Sequence, residues 1–444
     1  MVADDTEPNR RDVLKASGAA GLAGLAGLAG CSTTDDPATD TATEEPNGAG
    51  GGDGDDEETT ADDGGDGDDG GDTGPYTIGM VDSLTGSLSA FGQRNQRGKD
   101  LALADVNEVG IGGRDLEIIV EDSESQSQAG VSAAQKLVNQ DGVPFVIGAV
   151  GSGVSLAIYE SVIQGTDVVQ LSQNSTSPDL TDFPGLLRMS PTGSTQSTAL
   201  ANIIGEDGYD SVALAWVNND YGQGLAETFR EEWDGEIAYD EPHDQGQSSY
   251  SSTVSGMANS GADAWLFITY QPEFTSMAQE AYSNGYEAQF YGADSVQGSD
   301  VLGNTPEGSL DGMKIVVPSA AVDQDNYQAF ASEFESEYGE TPTSWSAFAY
   351  DCVVTAALSI ATADEFTGAA LQETVRDVTR PEGEEVFTFA EAMEVLGEDG
   401  SPDDIDYQGV SGPIDFDENG DPVGFLQILT VEDHEYVSSG TIEG

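Results

Sequence analysis

Basic residues are scarce in this chain. Its 444 residues include 13 lysines and arginines against 83 aspartates and glutamates, a formal net charge of −70. Only four lysines occur, Lys15, Lys99, Lys136 and Lys314. That balance excludes nucleic-acid partners, whose phosphates are met by basic patches. Cysteine is rarer still, with Cys31 and Cys352 alone, too few for a disulfide framework. Cys352 sits in the apolar run AYDCVVTAALSIA, which suits a buried thiol. The two histidines, His243 and His434, both fall in segments that read as surface. No Gly-x-Ser-x-Gly elbow and no Gly-x4-Gly-Lys-Ser/Thr loop is present, so neither a hydrolase nucleophile nor a phosphate loop is expected. The chain reads as a non-enzyme without cofactor or metal. Asp415 to Gly420 imitates the start of an EF-hand, but Leu426 stands where a bidentate glutamate is needed. Asn419-Gly420 reads instead as a hairpin turn.

The acidity is not confined to one tail. Residues 32–74 hold 16 acidic and no basic residues, while residues 75–444 hold 63 acidic and 10 basic, a net of −53. Self-repulsion on that scale opposes a compact state in dilute buffer. At molar salt the screening length falls to about 3 Å and the repulsion largely vanishes. The composition resembles that of haloarchaeal proteins, and a saline setting is expected.

The N-terminus reads as an address. Asn9-Arg-Arg-Asp-Val-Leu-Lys15 precedes fifteen uncharged residues, Ala16 to Gly30. That run is too short and too weakly apolar for a spanning helix of about 20 residues, and fits the h-region of a signal peptide. Arg10-Arg11 resembles the twin-arginine export signal. Leu28-Ala-Gly-Cys31 resembles a lipobox, which implies lipidation of Cys31, cleavage before it, and residence on the outer face of the cell membrane by that anchor alone. Residues 32–74, made almost wholly of Asp, Glu, Thr, Gly and Ala, cannot bury a core and are expected to form a disordered acidic tether.

From Tyr76 onward short apolar runs alternate with helical patterns. Strands are expected at 76–82, 115–122, 143–150, 167–172, 211–217, 235–240, 263–270 and 312–318, with helices at 93–109, 127–140, 192–207, 223–233, 271–284 and 325–338. Such alternation indicates parallel sheets built from βαβ units. With a break near Ser190–Gly193, the fold class is α/β, with two doubly wound parallel-sheet lobes. Ligands of such sheets bind beyond the carboxyl ends of the strands. That singles out the loops 83–92, 150–155, 172–178, 218–222, 270–274 and 293–298.

Those loops carry a resemblance. Ile78-Gly-Met-Val-Asp-Ser-Leu-Thr-Gly-Ser-Leu-Ser-Ala-Phe-Gly92, then Gly98 to Asn107, Gly112-Gly-Arg-Asp-Leu116, Ala133 to Val138, Asp220-Tyr-Gly-Gln-Gly224 and Gly412 to Gly420 are similar in order and spacing to the branched-chain amino-acid-binding family. These are type I periplasmic binding proteins of ABC transporters. The likeness runs from about 76 to 432. It implies lobes at 75–190 with 320–411 and at 191–319 with 412–444, joined by a three-segment hinge and closing over a small amino acid. It implies a permease and an ATPase on separate chains. Ser152, with Gly153 at a helix start, and the segment Asn174, Ser175 and Thr176 would hold the ligand carboxylate. Asp294 would pair its ammonium, and Phe91, Tyr221, Tyr270 and Trp345 would enclose its side chain.

The sequence departs from that family in places. A cysteine pair common there, near Glu124 and at Gly151, is missing, and Asp294 is one methylene shorter than the usual glutamate. Residues 382–408, with a helix expected near Phe389–Leu396, exceed the usual connection. A sensory protein binding an amino acid, amide or urea-type compound is the alternative expectation.

Overall fold

The structure is a computed structural model that describes residues 74–397 and 400–443. The expected signal, Cys31 and all of the tether but Gly74 lie outside the described residues. Five strands, β1 (Tyr76–Asp82), β2 (Leu116–Asp122), β3 (Phe145–Gly148), β4 (Val169–Ser172) and β5 (Leu186–Arg188), form a parallel sheet in the order β2-β1-β3-β4-β5. Further strands are β6 (Ser211–Val217), β7 (Glu236–His243), β8 (Ala264–Ile268), β9 (Gln289–Gly292), β10 (Lys314–Ser319), β11 (Glu384–Val386), β12 (Ile405–Tyr407), β13 (Phe425–Glu432) and β14 (Glu435–Glu443). The second sheet runs β14-β13-β10-β9-β8-β6-β7. Its parallel part, β7-β6-β8-β9-β10, repeats the order of the first sheet, and β13 and β14 add an antiparallel edge. Strand order reverses beside β1 in one sheet and beside β6 in the other, and each reversal opens a crevice at the strands' carboxyl ends.

Burial on both faces explains the apolar strand sequences. Ile78, Met80 and Val81 of β1 and every residue of β8 are buried. Helix Ser344–Thr362 is long and apolar enough to cross a membrane by length and composition, yet 89% of that stretch is buried inside the protein. It lies against helix Ser89–Val109, where Gly98 allows contact: a Cβ there would meet the Ser346 carbonyl oxygen at 2.1 Å. Tyr350 seals the pair by donating to Asp105 at 2.8 Å. Cys352 is buried in this helix.

Each expected strand span overlaps a strand, with β7 and β10 running past the expected ends. β5, β9 and β11–β14 were not foreseen, being three or four residues long or part of the C-terminal edge. The hairpin expectation at Asn419-Gly420 needs correcting. A tight turn is present there, with Gly420 donating to the Asp417 carbonyl at 3.2 Å, but no strands flank it. The hairpin lies between β13 and β14, where Asp433 and His434 both take positive φ, 49° and 66°, as a two-residue hairpin of the primed type requires. His243, expected at the surface, is buried edge-on against Tyr250 with ring centroids 5.2 Å apart, and that burial holds its pKa below the usual value. Residues 384–407 form a small parallel pair, β11 and β12, around helix Phe389–Leu396, which starts at the Thr388 cap.

The chain passes between the sheets after β5, after β10 and after β12. The last passage is pinned twice. Arg188, wholly buried, donates to Asp421 (2.6 Å), the Ser177 carbonyl (2.7 Å) and Thr181 (2.6 Å). Asp351, also wholly buried, accepts from Tyr407 (2.7 Å), the Val410 amide (2.9 Å), the Ser411 amide (2.8 Å) and the Ser411 hydroxyl. Burial pushes the Asp351 pKa up to about 6 against the pull of those donors. Asp351→Ala would strand several buried donors, and is expected to destabilise the protein by roughly 3 kcal/mol or more. The check is the urea midpoint at molar salt, and an unchanged midpoint would mean that water replaces the carboxylate.

Candidate functional site

A cavity holding about 280 Å³ of empty space, part of it open to solvent, lies where the two crevices face each other. One side is made by loops after β1, β3 and β4: Leu88, Phe91, Val150, Gly151, Ser152, Asn174 and Thr176. The other is made by loops after β6, β8 and β9: Tyr221, Tyr270, Asp294 and Ser295. Trp345 closes one end. Of the ten ligand-site residues expected from sequence, Phe91, Ser152, Asn174, Thr176, Tyr221, Tyr270, Asp294 and Trp345 therefore surround one cavity. Gly153 lines an adjoining cavity, shared with Asn219, Gln245 and Tyr270. Ser175 does not line the site: its hydroxyl lies 2.8 Å from Ser155, and its amide donates to Ser172 at 3.0 Å, bracing the loops after β3 and β4.

Ser152 opens helix Ser152–Ile158, after Gly151 in extended conformation. The N–H groups of a helix's first turn have no partner within the helix and favour an anion. The Ser152 hydroxyl accepts from the Ser177 amide at 3.1 Å, which leaves its own proton to donate into the cavity.

Across the cavity stands a carboxylate without a cation. Asp294 is 4% exposed, and its Oδ1 accepts from Gln196 Nε2 at 2.9 Å and from Tyr221 at 3.0 Å. No basic side chain among the described residues is ion-paired with it. Burial pushes its pKa up to about 6, with Gln196, Tyr221 and nearby backbone amides pulling the other way. A buried carboxyl held only by neutral donors is poised to gain from an arriving cation.

The walls between these poles are aromatic. Tyr221 and Tyr270 stack, with centroids 5.6 Å apart and planes 20° apart. Phe91 and Trp345 meet edge-to-face at 5.5 Å, and Trp345 also packs edge-on against Phe348 in the core, so its ring serves core and cavity alike. Asn219 caps helix Asp220–Glu232 through the Gly222 amide and donates to the Tyr270 hydroxyl at 2.9 Å. That leaves the Tyr270 proton free to donate.

Some residues of this site escaped the sequence reading. Leu88, Val150 and Ser295 sit in the very loops singled out, beside residues that were named. Gln196 had no signal: it reaches Asp294 from helix Gly193–Glu206, 98 residues away in sequence. Asn219 lay one residue before the Asp220-Tyr-Gly motif, where an N-cap asparagine is the signal.

The two sides touch outside the cavity. Ser177 donates to the Asp220 carbonyl at 3.0 Å, and Ser87 lies 3.3 Å from Glu273. A Cβ on Gly224 would meet Ser177 Oγ at 2.7 Å and the Pro178 ring at 3.0 Å. The crevices are thus closed upon each other.

Comparison with known proteins agrees with this architecture. A twin-arginine translocation signal model matches residues 7–27, which together with the domain marks an extracytoplasmic protein. The Leu/Ile/Val-binding protein homolog 3 of Brucella melitensis is 27% identical over 245 residues, 53% of this chain and 66% of that protein. The chain's match thus spans just under two thirds of that relative's length. The leucine-specific-binding protein of Salmonella typhimurium is 24% identical over 357 residues, 78% of this chain and 88% of that protein. The substrate-binding protein LivJ of Streptococcus pneumoniae, solved with isoleucine, superposes with a TM-score of 0.71 at 23% identity, covering 83% of this chain and 100% of that one, and shares the type I fold. The model for the family described as periplasmic binding protein matches residues 75–423, every strand of the first sheet and the whole cavity included; the chain belongs to the periplasmic binding protein family.

Proposed function

We propose that this chain is the substrate-binding component of an ABC importer, taking a small amino acid, branched-chain or otherwise apolar, between lobes formed by 75–190 with 320–411 and 191–319 with 412–444. The observation that carries this reading is the polarity of the cavity. A hydroxyl with a free proton at Ser152, the first residue of its helix, faces a cation-free buried carboxylate at Asp294, with aromatic walls between. A zwitterion with an apolar side chain satisfies all three features at once. Thr176 adds a further hydroxyl beside Ser152, and Tyr221 and Tyr270 form the closing face. Lipid on Cys31 and the acidic tether would hold the domain at the outer face of the membrane, where a permease and ATPase on separate chains take over the ligand.

Titration calorimetry of the full chain at molar salt tests the reading, with leucine, isoleucine, valine, threonine, glutamine, acetamide, urea and benzoate as probes. Benzoate carries a carboxylate but no ammonium, so Asp294 opposes it. Binding of benzoate but of no amino acid would sink the proposal.

Closure can be tested apart from chemistry. Gly224→Val would force the lobes apart at Pro178, and is expected to weaken ligand affinity about tenfold or more, the usual scale of overpacking. The ligand-free thermal midpoint should hold. Wild-type affinity in this variant would show that the ligand binds without closure.

A further inference from the structure

Beneath the cavity runs a chain of buried side chains that ends on an unanswered donor. Asp82, at the end of β1 and wholly buried, has donors on every side: the Ser83 amide (2.9 Å) and Asn95 Nδ2 (3.2 Å) to Oδ1, and Gln96 Nε2 (2.7 Å) to Oδ2. A carboxylate only accepts, so Asn95 must turn its NH₂ toward it. The same nitrogen donates to Asn174 Oδ1 at 2.8 Å. Asn174 is thereby oriented as well, with its oxygen facing Asn95 and its Nδ2 directed away.

That Nδ2 is buried and has no hydrogen-bond partner, and Asn174 lines the cavity while being 5% exposed. Buried donors in folded proteins are nearly always paired. Asn95 Oδ1 also lacks a partner, but turning its amide over would set two acceptor oxygens against each other at Asp82, so the orientation stands. Asn95 follows Phe91 by one helical turn, and Asn174, Phe91 and Ser152 line the same cavity.

We infer that the Asn174 side chain is a ligand-binding donor, giving its Nδ2–H to an acceptor oxygen of the bound amino acid, and that Asp82 and Asn95 are positioning residues that set its direction. This rests on the amino-acid reading above. The oxygen belongs either to the ligand carboxylate or to an oxygen-bearing side chain such as that of threonine or glutamine. The shared chemistry is an acceptor oxygen within reach of Asn174, and the test separates its two sources.

The experiment is calorimetry of the full chain at molar salt with leucine, threonine and glutamine, for wild type, Asn174→Leu, Asn174→Ala, Asn95→Leu and Ser152→Ala. Asn174→Leu should lower affinity at least tenfold. An equal loss for all three ligands assigns the carboxylate, and a loss confined to threonine and glutamine assigns the side chain. Asn95→Leu, which frees the amide to rotate, should give a smaller loss with the same ligand pattern and an unchanged selectivity order. Asn174→Ala is read in the same way if the leucine variant does not fold. Wild-type affinity for every ligand in both Asn174 variants, alongside weakened binding in Ser152→Ala, overturns the inference and leaves the amino-acid reading standing. Failure of wild type to bind any of the three overturns both.

Discussion

Asp294→Asn is expected to lower amino-acid affinity by roughly 30- to 3000-fold, the range for removing one partner of a buried charge pair. The carboxyl is 4% exposed at the end of β9, and its protein partners are neutral. Asparagine keeps the shape and an acceptor for Gln196 and Tyr221, so the loss isolates the charge. The same variant should leave the ligand-free protein as stable as wild type or more so, since a buried carboxylate with no counter-ion is a liability until ligand arrives. A thermal midpoint that holds or rises while calorimetric binding disappears is the expected pair of results. Undiminished affinity would remove Asp294 from the ammonium site.

The pH dependence has a definite sign. Burial holds the Asp294 pKa near 6 in the free protein, and a bound ammonium would bring it down, because an opposite charge favours the ionised form. Protons therefore compete with ligand. Affinity should be full above about pH 6 and fall by roughly tenfold per unit below it, until the pKa of the liganded state is reached. Asp294→Asn should lose that dependence. For the ligand-free protein the sign is opposite. A carboxyl whose folded pKa lies above its unfolded value adds stability as pH falls from about 6 toward 3.8.

How much of this was legible follows from distance along the chain. Eight of the twelve strands of the two sheets announce themselves as short apolar runs, and the rule that ligands bind at carboxyl ends points to the right loops before any side chain is placed. Asp294, Ser152, Tyr221 and Tyr270 lie there because each follows a strand directly. Gln196 and Asn95 were missed for the complementary reason. Gln196 reaches the site from a helix after the first crossover, and Asn95 points down from a helix whose apolar positions merely read as core. His243 was misread because Glu241-Pro-His-Asp244 is polar in sequence, whereas the Tyr250 ring covers it in space. Local pattern locates elements, but buried polar partners are chosen by tertiary packing.

Transfer from molar salt to dilute buffer is expected to lower the thermal midpoint by more than about 10 °C, and to weaken ligand binding separately. Beyond residue 74 the chain has 63 acidic and 10 basic residues. Several of those ten are in ion pairs, among them Arg97, Lys99, Lys136, Arg188, Arg230, Lys314 and Arg380. The remaining negative charge has few cations of its own to meet. Screening lengths of about 30 Å at 0.01 M and 3 Å at 1 M span the distance between uncoupled and fully interacting surface charges. Closure feels the same force locally. Asp179 and Asp182 follow β4 on one side of the cleft, and Asp220 and Glu227 lie on the helix facing them. Burial raises the Asp179 pKa, and the charges of Asp220, Glu227 and Asp182 raise it further, so ionised acids are pressed together when the crevices meet. Potassium chloride from 0.1 to 3 M should therefore raise both midpoint and affinity, and sucrose at matched water activity should recover less of either, since it strengthens burial without screening charge. Replacing Asp179 and Glu227 by asparagine and glutamine should flatten the salt dependence of affinity while leaving most of that of stability. Equal affinity at both salt concentrations would mean that the acidic faces do not oppose closure.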